Sequence, residues 1–198
     1  MDKISSKKPD IVEFRLDELS DLSILGRIAK KKSYPAIATD KSGRASSPRI
    51  LDQAVAEGFE FVDVELSSDK FEERTKRLKS RGAQVVISHH DYSGTPSVDE
   101  LRQILEAQRE AGADVCKIVT TANHPRDNIV LLDLLDREAQ ETRIVAFAMG
   151  TAGIASRVLA PLFGAEFTFA SITEESKTAP GQLSVDNLRS AWRTLGIQ

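Results

Sequence analysis

The most constraining feature of this chain is the near-constant spacing of its short β-rich runs. Seven such runs, at 11–17, 35–39, 59–66, 84–90, 113–120, 143–149 and 166–172, begin 24, 24, 25, 29, 30 and 23 residues apart. That interval accommodates one strand, one helix and two short loops. Between the runs, apolar residues recur at three- and four-residue spacing, as in Leu22, Leu25 and Ile28, Leu101, Ile104 and Leu105, and Ile129, Leu132 and Leu135. Helix starts are marked by Asp21, by Ser97 with Glu100 three positions on, and by Ser184 before Val185. Gly58, Gly82 and Gly112 stand where helices should stop. Strands separated by single helices pair in parallel, because sequential parallel strands need a crossover.

A parallel sheet of this kind either stays open or closes into a barrel. Open doubly wound sheets have near-continuous apolar strands. Here Glu13, Arg15 and Asp17 share one side of the first run, and Asp63 and Glu65 one side of the third. Charges on one side of a covered strand need a polar interior, which a barrel supplies near its C-terminal mouth. No Gly-rich phosphate loop follows the first run, which removes the usual reason for the open alternative. The pattern predicts an α/β (β/α)8 TIM-barrel type, one catalytic domain over 1–198, with only seven βα units. The first unit is missing, since residues 1–10 are too polar and short to supply a strand and crossover helix. An open stave leaves an unpaired sheet edge, so self-association as a homodimer is expected.

Composition narrows the function. With 27 Lys+Arg against 30 Asp+Glu, the net charge of −3 argues against nucleic acid as a partner. Cys116 has no other cysteine to pair with, the N-terminus lacks an apolar signal region, and no stretch approaches 18 apolar residues. These features predict a cytoplasmic protein that does not span a membrane.

Lys117 is the most informative residue, because it sits inside Val115-Cys116-Lys117-Ile118-Val119, an otherwise apolar run. Desolvation there favours the neutral amine, the nucleophile that condenses with a ketone. The alternative is a lysine paired with an inward carboxylate such as Glu65 or Asp63, or one reaching along the strand to solvent. His89-His90-Asp91 closes the fourth run. Adjacent strand residues face opposite ways, so one imidazole can act as general acid/base while the other faces away, which disfavours a metal pair. Local hydrogen bonding of both histidines is the plainer alternative. Arg157, where a strand gives way to a helix, could clamp a carboxylate or lie at the surface. The Pro-Gly loop 177–184 could close over a ligand or simply connect. His124 is too isolated to argue for a metal.

Taken together, five stretches resemble the type I 3-dehydroquinate dehydratase family, within the class I Schiff-base barrels. They are Val12-Glu13-Phe14-Arg15-Leu16-Asp17, Ile87-Ser88-His89-His90-Asp91-Tyr92, Gly112-Ala113-Asp114-Val115-Cys116-Lys117-Ile118, the segment from Met149 to Arg157, and Ala179-Pro180-Gly181-Gln182, all in the family's order. The resemblance implies Lys117 as the Schiff-base lysine and His90 as the general acid/base. It implies that Glu13, Arg15 and Lys41 hold the substrate, that Arg157 binds its carboxylate, and that Thr178 and Gln182 close over it. Thr178 stands where the family often has serine.

The implied reaction is dehydration of 3-dehydroquinate to 3-dehydroshikimate, a step of aromatic amino-acid biosynthesis, with no cofactor and no metal. Two departures stand out besides the missing first unit. Lys41 stands where the family tends to place an arginine, with Arg44 nearby as a partial substitute for it, and Ala45 stands where a glutamate supporting the histidine is expected. The competing readings are an impaired paralogue that retains ligand binding, and another Schiff-base enzyme of the aldolase type. The latter calls for a Gly-rich phosphate loop that residues 179–182 poorly provide.

Overall fold

The computed structural model of the chain describes residues 2–19, 21–42 and 47–197. Arg44 and Ala45 lie outside the described residues. The chain divides into two compact units, one of Met1–Ser88 with Gln108–Asp114, the other of His89–Ala107 with Val115–Gln198.

In the first unit, strands β1 (Val12–Arg15), β2 (Ala36–Thr39), β3 (Phe61–Glu65) and the body of β4 (Gln84–His90) run parallel in chain order. Arg15 lies opposite Thr39, Thr39 opposite Asp63, and Asp63 opposite Val86. Helices α1 (Asp2–Lys7), α2 (Leu25–Lys31), α3 (Ser47–Glu57) and α4 (Phe71–Ser80) complete the unit, together with the last turn of α5 (Val98–Glu110). Period-two alternation gives each strand two characters. Ala36, Ala38, Val62, Val64, Val85 and Ile87 join Leu25, Leu51 and Leu78 in one buried cluster. Each large side chain removed from water there contributes about 1.5–3 kcal/mol. The opposite side carries Glu13, Arg15, Thr39, Asp63, Glu65 and Ser88.

In the second unit, β5 (Val115–Thr121) and β6 (Ile144–Met149) pair in parallel, with Lys117 opposite Val145 and Val119 opposite Phe147. Helices α6 (Asp127–Glu138), α7 (Ile154–Leu159) and α8 (Val185–Leu195) follow. α6 packs on β6, and its Leu131, Leu134 and Leu135 are buried, as are Cys116, Ile118, Ala146 and Ala148. That leaves Lys117, Val119, Phe147 and Met149 on the other side.

Among the described residues six runs form strand ladders, and the seventh, 166–172, does not. It starts beside β6, where Glu166 N–H donates to Ile144 C=O at 2.8 Å. Further along, its hydrogen bonds turn to the segment before α8: Ser171 N–H donates to Leu183 C=O, and Val185 N–H to Ser171 C=O, both at 2.9 Å. The result is extended chain with one isolated bridge, Ser171 to Ser184. The first run is also shorter than expected, because Leu16–Glu18 form a 3-10 turn.

Candidate active site

Lys117 stands mid-strand in β5 and is 5% exposed. Its Nζ lies 4.4 Å from the centroid of the Phe169 ring. Phe169 meets Phe147 at 5.9 Å and Phe167 edge-on at 5.5 Å. The Phe147 ring in turn faces Arg157, whose guanidinium carbon is 4.2 Å from the ring centroid. The Lys117 amine and the Arg157 guanidinium are thus joined through a pair of aromatic rings.

Arg157 is 3% exposed, and its Nε is buried with no hydrogen-bond partner. Burial lowers the guanidinium to about 10, so it stays charged at neutral pH. Arg157 is held in place by the turn that precedes it. Gly150 takes φ +85°, and a Cβ on Gly153 would lie 2.7 Å from the Ala148 carbonyl oxygen. Ser156 Oγ donates to Gly153 C=O at 2.8 Å and accepts from Ala148 N–H at 2.9 Å, while Ser156 N–H donates to Asn128 Oδ1 at 2.8 Å. Asn128 Nδ2 donates to Ala152 C=O at 2.7 Å. The small and polar residues of 150–156 therefore pin the start of α7 to β6 and α6.

His90 ends β4 half-buried, and its ring stacks on Tyr92 at 6.1 Å. Asp91 N–H donates to Val119 C=O at 2.8 Å, and Thr121 Oγ1 donates to Asp91 C=O at 3.0 Å. This pairing sets the end of β4 alongside Val119, one same-side step along β5 from Lys117. Asp91 is a turn former: its Oδ1 accepts from Ser93 Oγ at 2.6 Å, Ser93 N–H at 2.8 Å and Gly94 N–H at 3.1 Å. The Ser93 hydroxyl and these amides lower its carboxyl.

The Pro-Gly loop folds onto the end of β6. Gly150 N–H donates to Pro180 C=O at 3.0 Å, and Gly181, at φ +75°, passes so close that a Cβ would lie 2.2 Å from the Gly150 carbonyl oxygen. Gln182 is buried, and its Oε1 accepts from Thr178 N–H at 2.8 Å and Thr178 Oγ1 at 3.3 Å. That leaves the amide Nε2 as the donor end. Thr178 itself is exposed.

The remaining predicted residues lie in the first unit and are mutually engaged. Glu13 Oε1 accepts from Thr39 Oγ1 at 2.9 Å. Arg15 grips Asp17 with Nε at 3.0 Å and a terminal nitrogen at 2.6 Å, and this hydrogen bond raises the guanidinium's proton affinity. Lys41 Nζ donates to Asp63 Oδ1 at 2.7 Å, Glu65 Oε2 at 2.7 Å and Ser88 Oγ at 2.9 Å. An ammonium has three protons, so all of them are used. Burial opposes its charge, but Asp63 and Glu65 outweigh that and hold the group above its ordinary value. The sequence reading missed this arrangement, as it missed Phe147 and Phe169. The only signals were alternation, Phe169 two places after Phe167 and Phe147 two places before Met149. Among the described residues no group of three His, Cys, Asp or Glu is placed to hold a metal ion, and no helix is long and apolar enough to cross a membrane.

Parallel strands alternating with helices, with charged residues on the side of the strands away from the helices, define an α/β fold of the TIM-barrel type. The chain belongs to the type I 3-dehydroquinase family, whose model matches residues 1–198. It is 36% identical over 149 residues to a 3-dehydroquinate dehydratase of Dehalococcoides mccartyi, a match covering 75% of this chain and 66% of that protein. It is 32% identical over 200 residues to a 3-dehydroquinate dehydratase of Methanocaldococcus jannaschii, covering 96% of this chain and 89% of the relative. The crystal structure of 3-dehydroquinate dehydratase from Geobacillus kaustophilus superposes with a TM-score of 0.86 at 24% identity, over 98% of this chain and 83% of that one.

Proposed function

We propose that this chain is a hydro-lyase that dehydrates 3-dehydroquinate to 3-dehydroshikimate through an imine on Lys117, in the shikimate route to aromatic amino acids. The family and its named relatives support the reaction. The observation that carries the site assignment is the Arg157 guanidinium, charged, buried and with an Nε that no protein group satisfies, joined by two aromatic rings to the buried Lys117 amine. A buried cation left short of partners is costly unless a ligand anion completes it. A carboxylated ketone fits both ends, with its carboxylate on Arg157 and its carbonyl at Lys117.

The chemistry follows from the residue types. Neutral Lys117 adds to the ketone to give a carbinolamine, whose hydroxyl takes up a proton and leaves as water, giving a protonated imine, an electron sink that acidifies the adjacent C–H. His90 removes that proton, leaving an enamine. The enamine expels the β-hydroxyl, which leaves as water with the proton from the His90 imidazolium. Hydrolysis of the imine frees the product and restores Lys117. Gln182 offers its amide N–H donors to substrate oxygens, and Thr178 orients that amide. The reading extends to a cytoplasmic enzyme that needs no cofactor and self-associates as a homodimer.

The test is the conjugated-enone absorbance of the product. Wild-type protein is expected to generate it, Lys117→Ala to abolish it, and His90→Ala to slow it by about 10²–10⁴-fold. Substrate binding with no enone from the wild-type chain would favour the ligand-binding paralogue.

A further inference from the structure

We propose that Phe169 is a positioning residue for the reaction, its ring face seating the nitrogen of Lys117 before imine formation and stabilising the positive charge that this nitrogen acquires in the protonated imine. The inference rests on the imine reading above and adds to it what keeps the nitrogen in place. Lys117 Nζ lies 4.4 Å from the ring centroid, within the range where a cation is attracted to the negative face of an aromatic ring. With Lys117 only 5% exposed, little water competes for that charge, and the attraction is at the stronger end of its range. The protonated imine carries a unit of positive charge on that nitrogen. The ring that seats the amine therefore favours the charged intermediate over the neutral carbinolamine that precedes it.

Phe169 is itself fixed from two sides. Phe167 meets it edge-on at 5.5 Å, and Phe147 leans against it at 5.9 Å with Arg157 over its own face at 4.2 Å. The same ring pair therefore lies between the amine and the guanidinium and links their positions. The departure of 166–172 from a regular ladder is consistent with this role. Phe167, Thr168 and Phe169 make no strand pairing, and Thr168 is anchored by Oγ1 donation to Arg157 C=O at 3.1 Å.

Replacing Phe169 with mono-, di- and trifluorophenylalanine in the full-length protein tests the proposal, because fluorine drains the ring face with little change in size. The expected result is a stepwise fall in kcat and in the fraction of protein trapped by borohydride, roughly three- to tenfold across the series, with KM little changed. A merely structural ring predicts a flat series, and a flat series overturns the proposal. A second readout needs no turnover. In nuclear magnetic resonance spectra the ε-methylene protons of Lys117 should be shifted upfield by the ring current and return toward ordinary values in Phe169→Leu. Absence of that shift in the unsubstituted protein also overturns it. Failure of the imine reading looks different: the shift is present but no adduct forms on Lys117 in any variant.

Discussion

Lys41 in the first unit and Arg157 in the second are both cations drawn out of water, and they are held in opposite ways. Lys41 spends its three protons on Asp63, Glu65 and Ser88, and the two carboxylates raise its proton affinity despite burial. Arg157 has an aromatic face, an unsatisfied Nε and a proton affinity lowered by burial to about 10. Lys41 has all its donors met within the protein, whereas Arg157 keeps a buried donor that no protein group meets. Two inward cations of one chain can thus differ in whether the protein itself meets their donors, and on the proposed function the unmet donor of Arg157 is the one offered to a substrate carboxylate.

Several substitutions would break or sharpen this contrast. The largest effect is expected from Lys117→Ala, which removes the nucleophile and should lower kcat by at least about a thousandfold, read by product absorbance, with the folded circular dichroism spectrum unchanged. Next, Arg157→Gln should raise KM about 10- to 100-fold, because a charge-assisted, two-pronged contact to a carboxylate is lost. Arg157→Lys should recover little of it, since the planar fork is missing. If the two variants behave like wild type, Arg157 is not the anion site.

Lys41→Met should act through stability, lowering the unfolding free energy by about 2–4 kcal/mol in denaturant titration, because Asp63 and Glu65 are left facing each other. The sign with pH follows from the raised proton affinity. The Lys41 contribution is fully present below its ordinary value of 10.5 and is lost as pH rises above it, so the stability gap between wild type and variant should narrow in strong alkali. Arg157 predicts a functional counterpart: affinity for a carboxylate ligand should stay level from pH 7 to about 9 and weaken as the guanidinium loses its proton near 10. The smallest effect is expected for Ser156→Ala. It should cost about 1–3 kcal/mol of stability, as the buried Ala148 N–H loses its acceptor, with a modest rise in KM as the start of α7 loosens.

Much of the fold was legible because its causes are local. The βα cadence, the caps at Asp21 and Ser184 and the glycines ending helices are short-range signals, and the structure shows Asp21 and Ser184 accepting from backbone N–H groups as caps do. The run 166–172 has the pattern of a strand, because Phe167 and Phe169 alternate as strand residues do, yet it joins no ladder. Whether such a run joins a ladder depends on where its hydrogen bonds go, and those of Ser171 go to Leu183 and Val185.

At the candidate site, residue types with unusual surroundings were visible: a lysine in an apolar run and an arginine after a Gly-rich turn. The company they keep was not. Phe169 is 52 positions from Lys117, and Asp63 is 22 from Lys41, so no local pattern signals either contact. Equally hidden was that Arg15 is taken up by Asp17, because strand alternation alone leaves both free to face a ligand.

The claim on which the account turns is that Lys117 bonds covalently to its substrate. Incubation with 3-dehydroquinate and borohydride, followed by peptide mass spectrometry, tests it most directly. The account predicts a reduced adduct confined to the peptide that contains Lys117 and absent from Lys117→Ala. An unmodified Lys117 peptide under turnover conditions, or an adduct carried on another lysine, would contradict it.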